Sequence, residues 1–299
     1  MQREELGLET AGKAIAVVGL AAILPDAHDA ATFWENVKAG RDSIGEVPPE
    51  RWDPRDYYDP DPSAPDKTYS KIGAFVRGFR FESTRFRIPP AVGAAMDVTQ
   101  QWMLCCARDA LADAGHPGAG KIDPERTAVV LGNALGGELH ELTTFRVLLP
   151  EVWRELESLP ELGALAESAR RSLLECLAAR VCAKLPPITE DAMPGELGNV
   201  IAGRVANALD LRGPNFTTDA ACASSLAALD AAVGLLLQGR VDTVVTGGVD
   251  RTMAPTTFVK FSKIGALSAD GSRPFDATAN GFVMGEGAVA LVLRRLADA

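Results

Sequence analysis

The chain has 299 residues, 47% hydrophobic and 23% charged, with 30 Lys and Arg against 40 Asp and Glu. This is globular composition with ample material for a core, which excludes a disordered chain, a collagen-like chain and a disulfide miniprotein. The net charge of −10 argues against a nucleic-acid-wide footprint, which needs a basic surface.

In chain order, residues 1–12 are polar and read as a lead-in or linker. Ala14–Val18 is an apolar, β-branched run that predicts a central strand ending at Gly19. The whole apolar stretch, Ala14–Leu24, is stopped by Pro25 and falls short of the ~20 residues a bilayer span takes. Glu4, Glu5 and Glu9 stand where a signal peptide carries positive charge. Thr32–Ala39 predicts a short amphipathic helix, and residues 45–72 a proline-rich loop; so long an irregular stretch is usually functional or interface-forming. Asp97 is placed to cap a helix running to Ala114, with Gly115 as its stop. Thr127–Leu131 reads as a strand, and Glu138–Leu185 as helical with Pro150 and Pro160 as punctuation. Then follow a helix at Asn199–Leu209, a strand at Asn215–Ala220, a helix at Ala223–Leu237 closed by Gly239, a strand at Val241–Thr246 ending in Gly247-Gly248, and a strand at Ala288–Leu293. Alternating strands and helices predict an α/β fold with buried parallel strands.

The five cysteines are Cys105, Cys106, Cys176, Cys182 and Cys222. An odd number, two of them adjacent and none in a C-x-x-C pair, points away from a disulfide framework or a zinc site and toward a reducing cytoplasm. Cys105 and Cys106 fall in mid-helix among Leu and Ala, and Cys176 and Cys182 in an amphipathic helix, so all four read as structural.

Cys222 is different. It stands where a strand gives way to a helix, among Ala220, Ala221, Ala223, Ser224 and Ser225, all small. A helix N-terminus stabilises a thiolate, and its backbone N–H groups can hold an oxyanion. Those are the parts of a nucleophilic acyl-transfer site. A buried cysteine in tight, Ala-rich packing would have the same pattern, and the local sequence leaves both readings open.

The segment Gly213, Thr218, Ala221-Cys222-Ala223-Ser224-Ser225, Leu229 resembles the active-site signature of β-ketoacyl synthases, condensing enzymes with the thiolase fold. Further stretches resemble the same family: Ala14–Gly19 with Leu24-Pro25 and Phe33-Trp34; Met96-Asp97, Gln100-Gln101, Ala110-Leu111 and Asp113-Ala114-Gly115; Gly265–Asp276; and Gly281–Ala288. Ala64–Gly73, Leu185–Leu197 and Phe258–Gly265 look like ketosynthases of polyunsaturated-fatty-acid synthases and type I polyketide synthases. Asn280-Gly281 stands where many members have Asp-Gly.

The resemblance implies a thiolase-like layered α/β fold of βαβαβαββ type. Residues 13–299 would be its N-terminal, cysteine-bearing half, with a helical insertion at 138–185. It implies Cys222 as nucleophile, with its own N–H as oxyanion donor. No bound cofactor is implied; phosphopantetheine would arrive on an acyl carrier protein. An acyl group would pass from that carrier to Cys222, and a malonyl-type thioester would be decarboxylated and attack it. The implied assembly is a homodimer, with neither nucleic acid nor membrane as partner. The family's decarboxylation residues are two histidines and a lysine in a second half. His28, His116 and His140 stand in no such motif. The expectation is therefore a fragment or one part of a split enzyme, unable to complete condensation alone and exposing an apolar face. The rival reading is a non-catalytic dimerisation or chain-length partner, against which the retained Cys222 argues.

Three local signals remain. Arg77, Arg80, Arg85 and Arg87 interleave with Phe79, Phe81 and Phe86; buried Phe with solvated Arg is the simplest reading, and contact with an acidic carrier the functional one. Asp219 is expected to fix the turn before Cys222 through backbone hydrogen bonds. Gly285-Glu286-Gly287 lacks the spacing of a phosphate loop and predicts tight backbone packing.

Overall fold

The computed structural model describes residues 14–117 and 122–299. The lead-in expected at residues 1–12 lies outside the described residues. The strands are β1 (Ile15–Ile23), β2 (Ile44–Glu46), β3 (Ile72–Ala74), β4 (Thr127–Gly132), β5 (Asn215–Thr218), β6 (Thr243–Asp250) and β7 (Gly287–Arg295). The helices are α1 (Ala30–Lys38), α2 (Pro54–Tyr57), α3 (Pro90–Ala94), α4 (Val98–Asp113), α5 (Leu139–Glu157), α6 (Pro160–Gly163), α7 (Glu167–Cys182), α8 (Ala192–Glu196), α9 (Ile201–Ala208), α10 (Ser224–Leu237) and α11 (Pro255–Lys263).

The main sheet has the order β1-β7-β6-β4-β5. Its backbone path β1–α4–β4–α9–β5–α10–β6–β7 is the βαβαβαββ arrangement. β4 pairs in parallel with both β5 and β6, as the alternation predicts. β7 does not: it runs antiparallel to both β6 and β1. The chain leaves β6 at Asp250, stays at that end of the sheet through residues 251–286, and re-enters there, so β7 has to run back. The sheet is therefore mixed rather than all parallel.

Helices cover both faces. On one, Trp102, Met103, Ala107 and Leu111 of α4 and Ile201 and Val205 of α9 pack on Val129, Leu131, Val245 and Val292. On the other, Ala228, Ala232 and Leu236 of α10 pack on Ala128, Val130, Val244 and Leu293. The alternation of neighbouring strand residues between the two clusters is the period-two pattern of strands buried on both sides. The proline-rich segment is not loose: Val47, Trp52 and Phe75 close over Met253, Phe258, Leu267 and Met284 in a third, smaller core.

Some boundaries move. The α4 ends match: the Asp97 carboxylate accepts from the Thr99 N–H, and Gly115 takes φ +83°. β1 is not central but the outer strand of the sheet beside β7, and it does not stop at Gly19 but passes through it, with a bulge between Val17 and Gly19. A Cβ on Gly19 would lie 2.7 Å from the Ala114 nitrogen, so this glycine lets α4 cross close to the strand. β6 likewise runs through Gly247-Gly248 to Asp250. The 138–185 segment is helical in three pieces, and α5 continues through Pro150, at the loss of one helical hydrogen bond.

The α10 side of the sheet is only partly covered. Leu226 (67% exposed) and Leu237 lie on the outer side of α10. Val17 (55% exposed), Leu20 and Phe216 pair in register with Leu293, Leu291 and Val130 and so share that face. These residues leave an apolar surface exposed on that side of the sheet. No helix among the described residues is long and apolar enough to cross a membrane.

Candidate active site at the β5–α10 corner

β5 ends at Thr218, and α10 begins at Ser224. The intervening turn is made by short-range hydrogen bonds. The Asp219 carboxylate accepts from the Ala221 N–H at 2.9 Å, the turn-fixing role expected of it. The Ala223 and Ser224 N–H groups donate to the Ala220 and Ala221 carbonyls, both at 3.1 Å. The Ser224 hydroxyl accepts from the Ala220 N–H at 2.9 Å and donates to the Ala221 carbonyl at 2.7 Å. Ala221 sits at φ +51°, a left-handed conformation that costs an L-residue roughly 1–2 kcal/mol.

This strained step lifts Cys222 out of the corner. Its side chain is exposed, so a buried thiol in tight Ala-rich packing does not describe it. The hydrogen bonds that stitch the corner come from the N–H groups of Ala220, Ala221, Ala223 and Ser224. Cys222 thus stands just before the first turn of a 14-residue helix, at the positive end of its dipole.

Neighbouring strands hold the corner from below. A Cβ on Gly132 of β4 would come within 2.5 Å of the Ser224 carbonyl oxygen and the Ser225 nitrogen, and one on Gly248 of β6 within 2.8 Å of the Ser225 Cβ. Only glycine allows α10 this close to the sheet. Buried Asn133 ties the three strand ends together: its N–H donates to the Thr218 carbonyl at 3.1 Å, and its side-chain amide to the Val249 carbonyl at 2.8 Å.

The loop that Asn133 opens ends in a buried square of charges. Arg51 Nη2 lies 2.7 Å from Glu138 Oε1, and Nη1 lies 2.8 Å from Glu286 Oε1. Arg251 Nη1 lies 2.6 Å from Glu138 Oε2 and its Nε 4.0 Å from Glu286 Oε2. Glu286 also accepts from the Val76 N–H, and Glu138 from the Met253 N–H. Burial pushes the Glu286 carboxyl above its ordinary range despite the two arginines. The square joins the proline-rich segment, the start of α5 and the entry to β7.

The other sequence signals separate. Cys106 is buried and Cys105 partly so, and burial pushes both thiols up, Cys105 to about 11. Cys176 is exposed on α7 rather than in a core, as that helix buries none of its described residues. Phe86 is buried, Phe79 and Phe81 pack against the α4 core, and Arg77, Arg80, Arg85 and Arg87 are exposed. His140 lies 3.2 Å from Glu196. Of the Gly285-Glu286-Gly287 motif, Gly287 packs tightly, as expected, with a Cβ position 2.8 Å from the Ile23 carbonyl, whereas Gly285 has only ordinary contact, at 3.5 Å from the Ala74 Cβ. Sequence reading did not find Asn133, Ser224 or the charge square. The partners of Asn133 and of the square are distant in sequence, and Ser224 is one of several small residues around Cys222.

Residues 12–299 match the family described as β-ketoacyl synthase, N-terminal domain. A PKS-NRPS hybrid synthetase of Aspergillus niger is 35% identical over 98% of this chain, which spans 14% of that protein. A polyunsaturated fatty acid synthase polypeptide of Thraustochytrium is 35% identical over 95% of the chain, 10% of that protein. Among solved structures, an oxazolomycin ketosynthase domain of Streptomyces albus superposes with a TM-score of 0.72 at 30% identity, over 95% of this chain and 44% of that one. The ketosynthase from module 6 of the bacillaene synthase of Bacillus subtilis gives 0.72 at 28% identity, over 95% and 40%. The chain therefore spans less than half of each of these relatives.

Proposed function

The chain belongs to the β-ketoacyl synthase family, as its N-terminal domain, and on that premise we propose that Cys222 accepts an acyl chain for decarboxylative Claisen condensation in polyketide or fatty-acid assembly. The observation that carries this reading is the exposed thiol at the β5–α10 corner, raised by Ala221 just before the first turn of α10.

In the first step the Cys222 sulfur attacks the carbonyl of an acyl thioester presented on the phosphopantetheine arm of an acyl carrier protein. A C–S bond forms to Cys222, the carrier C–S bond breaks, and the carrier thiolate takes up the proton that Cys222 gives up. The Cys222 N–H and the α10 N-terminus stabilise the oxyanion between these events. In the second step a malonyl-type thioester loses CO2, and the electron pair of the broken C–C bond attacks the acyl carbonyl. The Cys222 thiolate leaves and is reprotonated from solvent. Residues for the decarboxylation come from a second half-domain, in cis or on a partner chain, seated on the apolar α10 face.

Residues 13–299 act as the nucleophile half, with 138–185 as a helical insertion, in a homodimer. Five free cysteines fit a reducing cytoplasm. Exposed Arg77, Arg80 and Arg87 supply a local positive patch toward an acidic carrier on a chain that is negative as a whole.

The test is acyl loading followed by mass spectrometry. A mass increase mapped to Cys222 after incubation with an acyl carrier thioester, and lost in Cys222→Ala, is expected. Equal loading of the Cys222→Ala variant would remove the proposal.

A further inference from the structure

We infer that Ser224 is a positioning residue that aims the Cys222 N–H at the reacting carbonyl; the inference rests on the reading of Cys222 as the acyl acceptor. The Ala221 carbonyl and the Cys222 N–H belong to one planar trans peptide, so whatever fixes the carbonyl sets the direction of the N–H. The Ala221 carbonyl receives two bonds, both from Ser224: the hydroxyl at 2.7 Å and the backbone N–H at 3.1 Å.

The same hydroxyl accepts from the Ala220 N–H at 2.9 Å, so it ties the 219–220 peptide to the 221–222 peptide across Ala220 and Ala221. Ala221 is the strained residue, at φ +51°, and the one at which this peptide would otherwise relax. Ser224 is itself held. It is buried, its carbonyl accepts from the Thr218 hydroxyl at 3.1 Å, and Gly132 leaves no slack against its backbone. The Ser224 hydroxyl bonds the backbone of Ala220 and Ala221, so it acts through the peptide plane.

Such a role separates two reactions of the same thiol. Alkylation by iodoacetamide develops no oxyanion, so it needs an accessible sulfur and no aimed N–H. Acyl transfer from a soluble hexanoyl thioester passes through an oxyanion. The carrier-free thiol leaves with the proton lost from Cys222, and the acyl group stays on sulfur. Removing an oxyanion donor costs about 10²- to 10³-fold; a donor that is misaimed rather than removed should cost about 10- to 100-fold.

The experiment measures both rates in the wild-type chain, Ser224→Ala and Ser224→Thr, with a crystal structure of Ser224→Ala. Expected are a maximal loading rate reduced by about 10- to 100-fold in Ser224→Ala with half-saturation unchanged, alkylation within about twofold of wild type, and loading largely restored by the hydroxyl of Ser224→Thr. Equal loading in Ser224→Ala and wild type, or parallel loss of both reactions, overturns the inference. A 221–222 peptide in its original plane in the Ser224→Ala crystal overturns it without any turnover. A wild-type chain that is alkylated but never acylated removes the proposed function instead, and the plane in the variant still decides the positioning role. If Ser224→Ala does not fold, the Ser224→Thr rates decide: loss of loading with alkylation retained would show that the hydroxyl alone does not set the plane.

Discussion

Replacing Arg51 by Met removes one of two cations from the buried charge square. Arg51 bridges Glu138 and Glu286 at 2.7 and 2.8 Å, and all three side chains are largely or fully withdrawn from solvent. In the variant Glu286 keeps the Val76 N–H and a 4.0 Å approach from Arg251, while Glu138 keeps Arg251 at 2.6 Å. One cation then faces two buried carboxylates. Breaking a buried pair by removing one partner costs about 3–5 kcal/mol, and the lower end applies because Arg251 remains. The loss should depend on pH. The folded-state pKa of Glu286 lies above its ordinary value because of burial, so between those two values the folded chain binds more proton than the unfolded chain. The stability linked to that proton is full below the ordinary Glu range and is lost as pH rises through the folded value. Removing Arg51 raises the folded value further, so the deficit of Arg51→Met should shrink at about pH 5.5 relative to about pH 8. Urea unfolding followed by tryptophan fluorescence at both pH values measures this, since Trp52 and Trp102 are both buried. A deficit below about 1 kcal/mol, or one that does not change with pH, would refute the reasoning. The double variant Arg51→Met/Glu286→Gln should recover part of the loss, because the uncompensated charge is then gone.

Gly132→Ala places a methyl 2.5 Å from the Ser224 carbonyl oxygen and the Ser225 nitrogen; because both are backbone atoms, α10 must move, at a cost of about 1–3 kcal/mol. A lower melting temperature with slower Cys222 loading is expected, and an unchanged melt would contradict the packing described. Asp242 accepts from both Arg126 and Arg295, which hold its carboxyl well below the ordinary range. Its contribution is present above the ordinary Asp range and is lost on acidification toward the depressed value, so Asp242→Asn should flatten the acid limb of the stability profile. The exposed apolar face of α10, β1 and β5 should make the isolated chain self-associate, and Leu237→Lys should shift light scattering toward the monomer; equal association in both would place the contact elsewhere.

Local chemistry in the chain set much of this protein. Asp97 and Gly115 bound α4 because a carboxylate that accepts from the first turn and a glycine that adopts positive φ act within a few residues of themselves. The same holds for Asp219, which bonds Ala221, and for the strand-to-helix step that places Cys222 at a corner. Two glycines misled because their reason was a distant neighbour. Gly19 and Gly247 look like strand ends, yet each lies inside a strand at a close crossing with α4 or β7. The direction of β7 depends on where residues 251–286 travel, and no residue of β7 encodes that. The charge square joins Arg51, Glu138, Arg251 and Glu286 across 235 positions of sequence, so only the packed fold brings them together. The sequence alone determined which residue is the candidate nucleophile and the kind of corner it occupies. The tertiary structure decided that its thiol is exposed, because that depends on a backbone conformation held by contacts between separate elements.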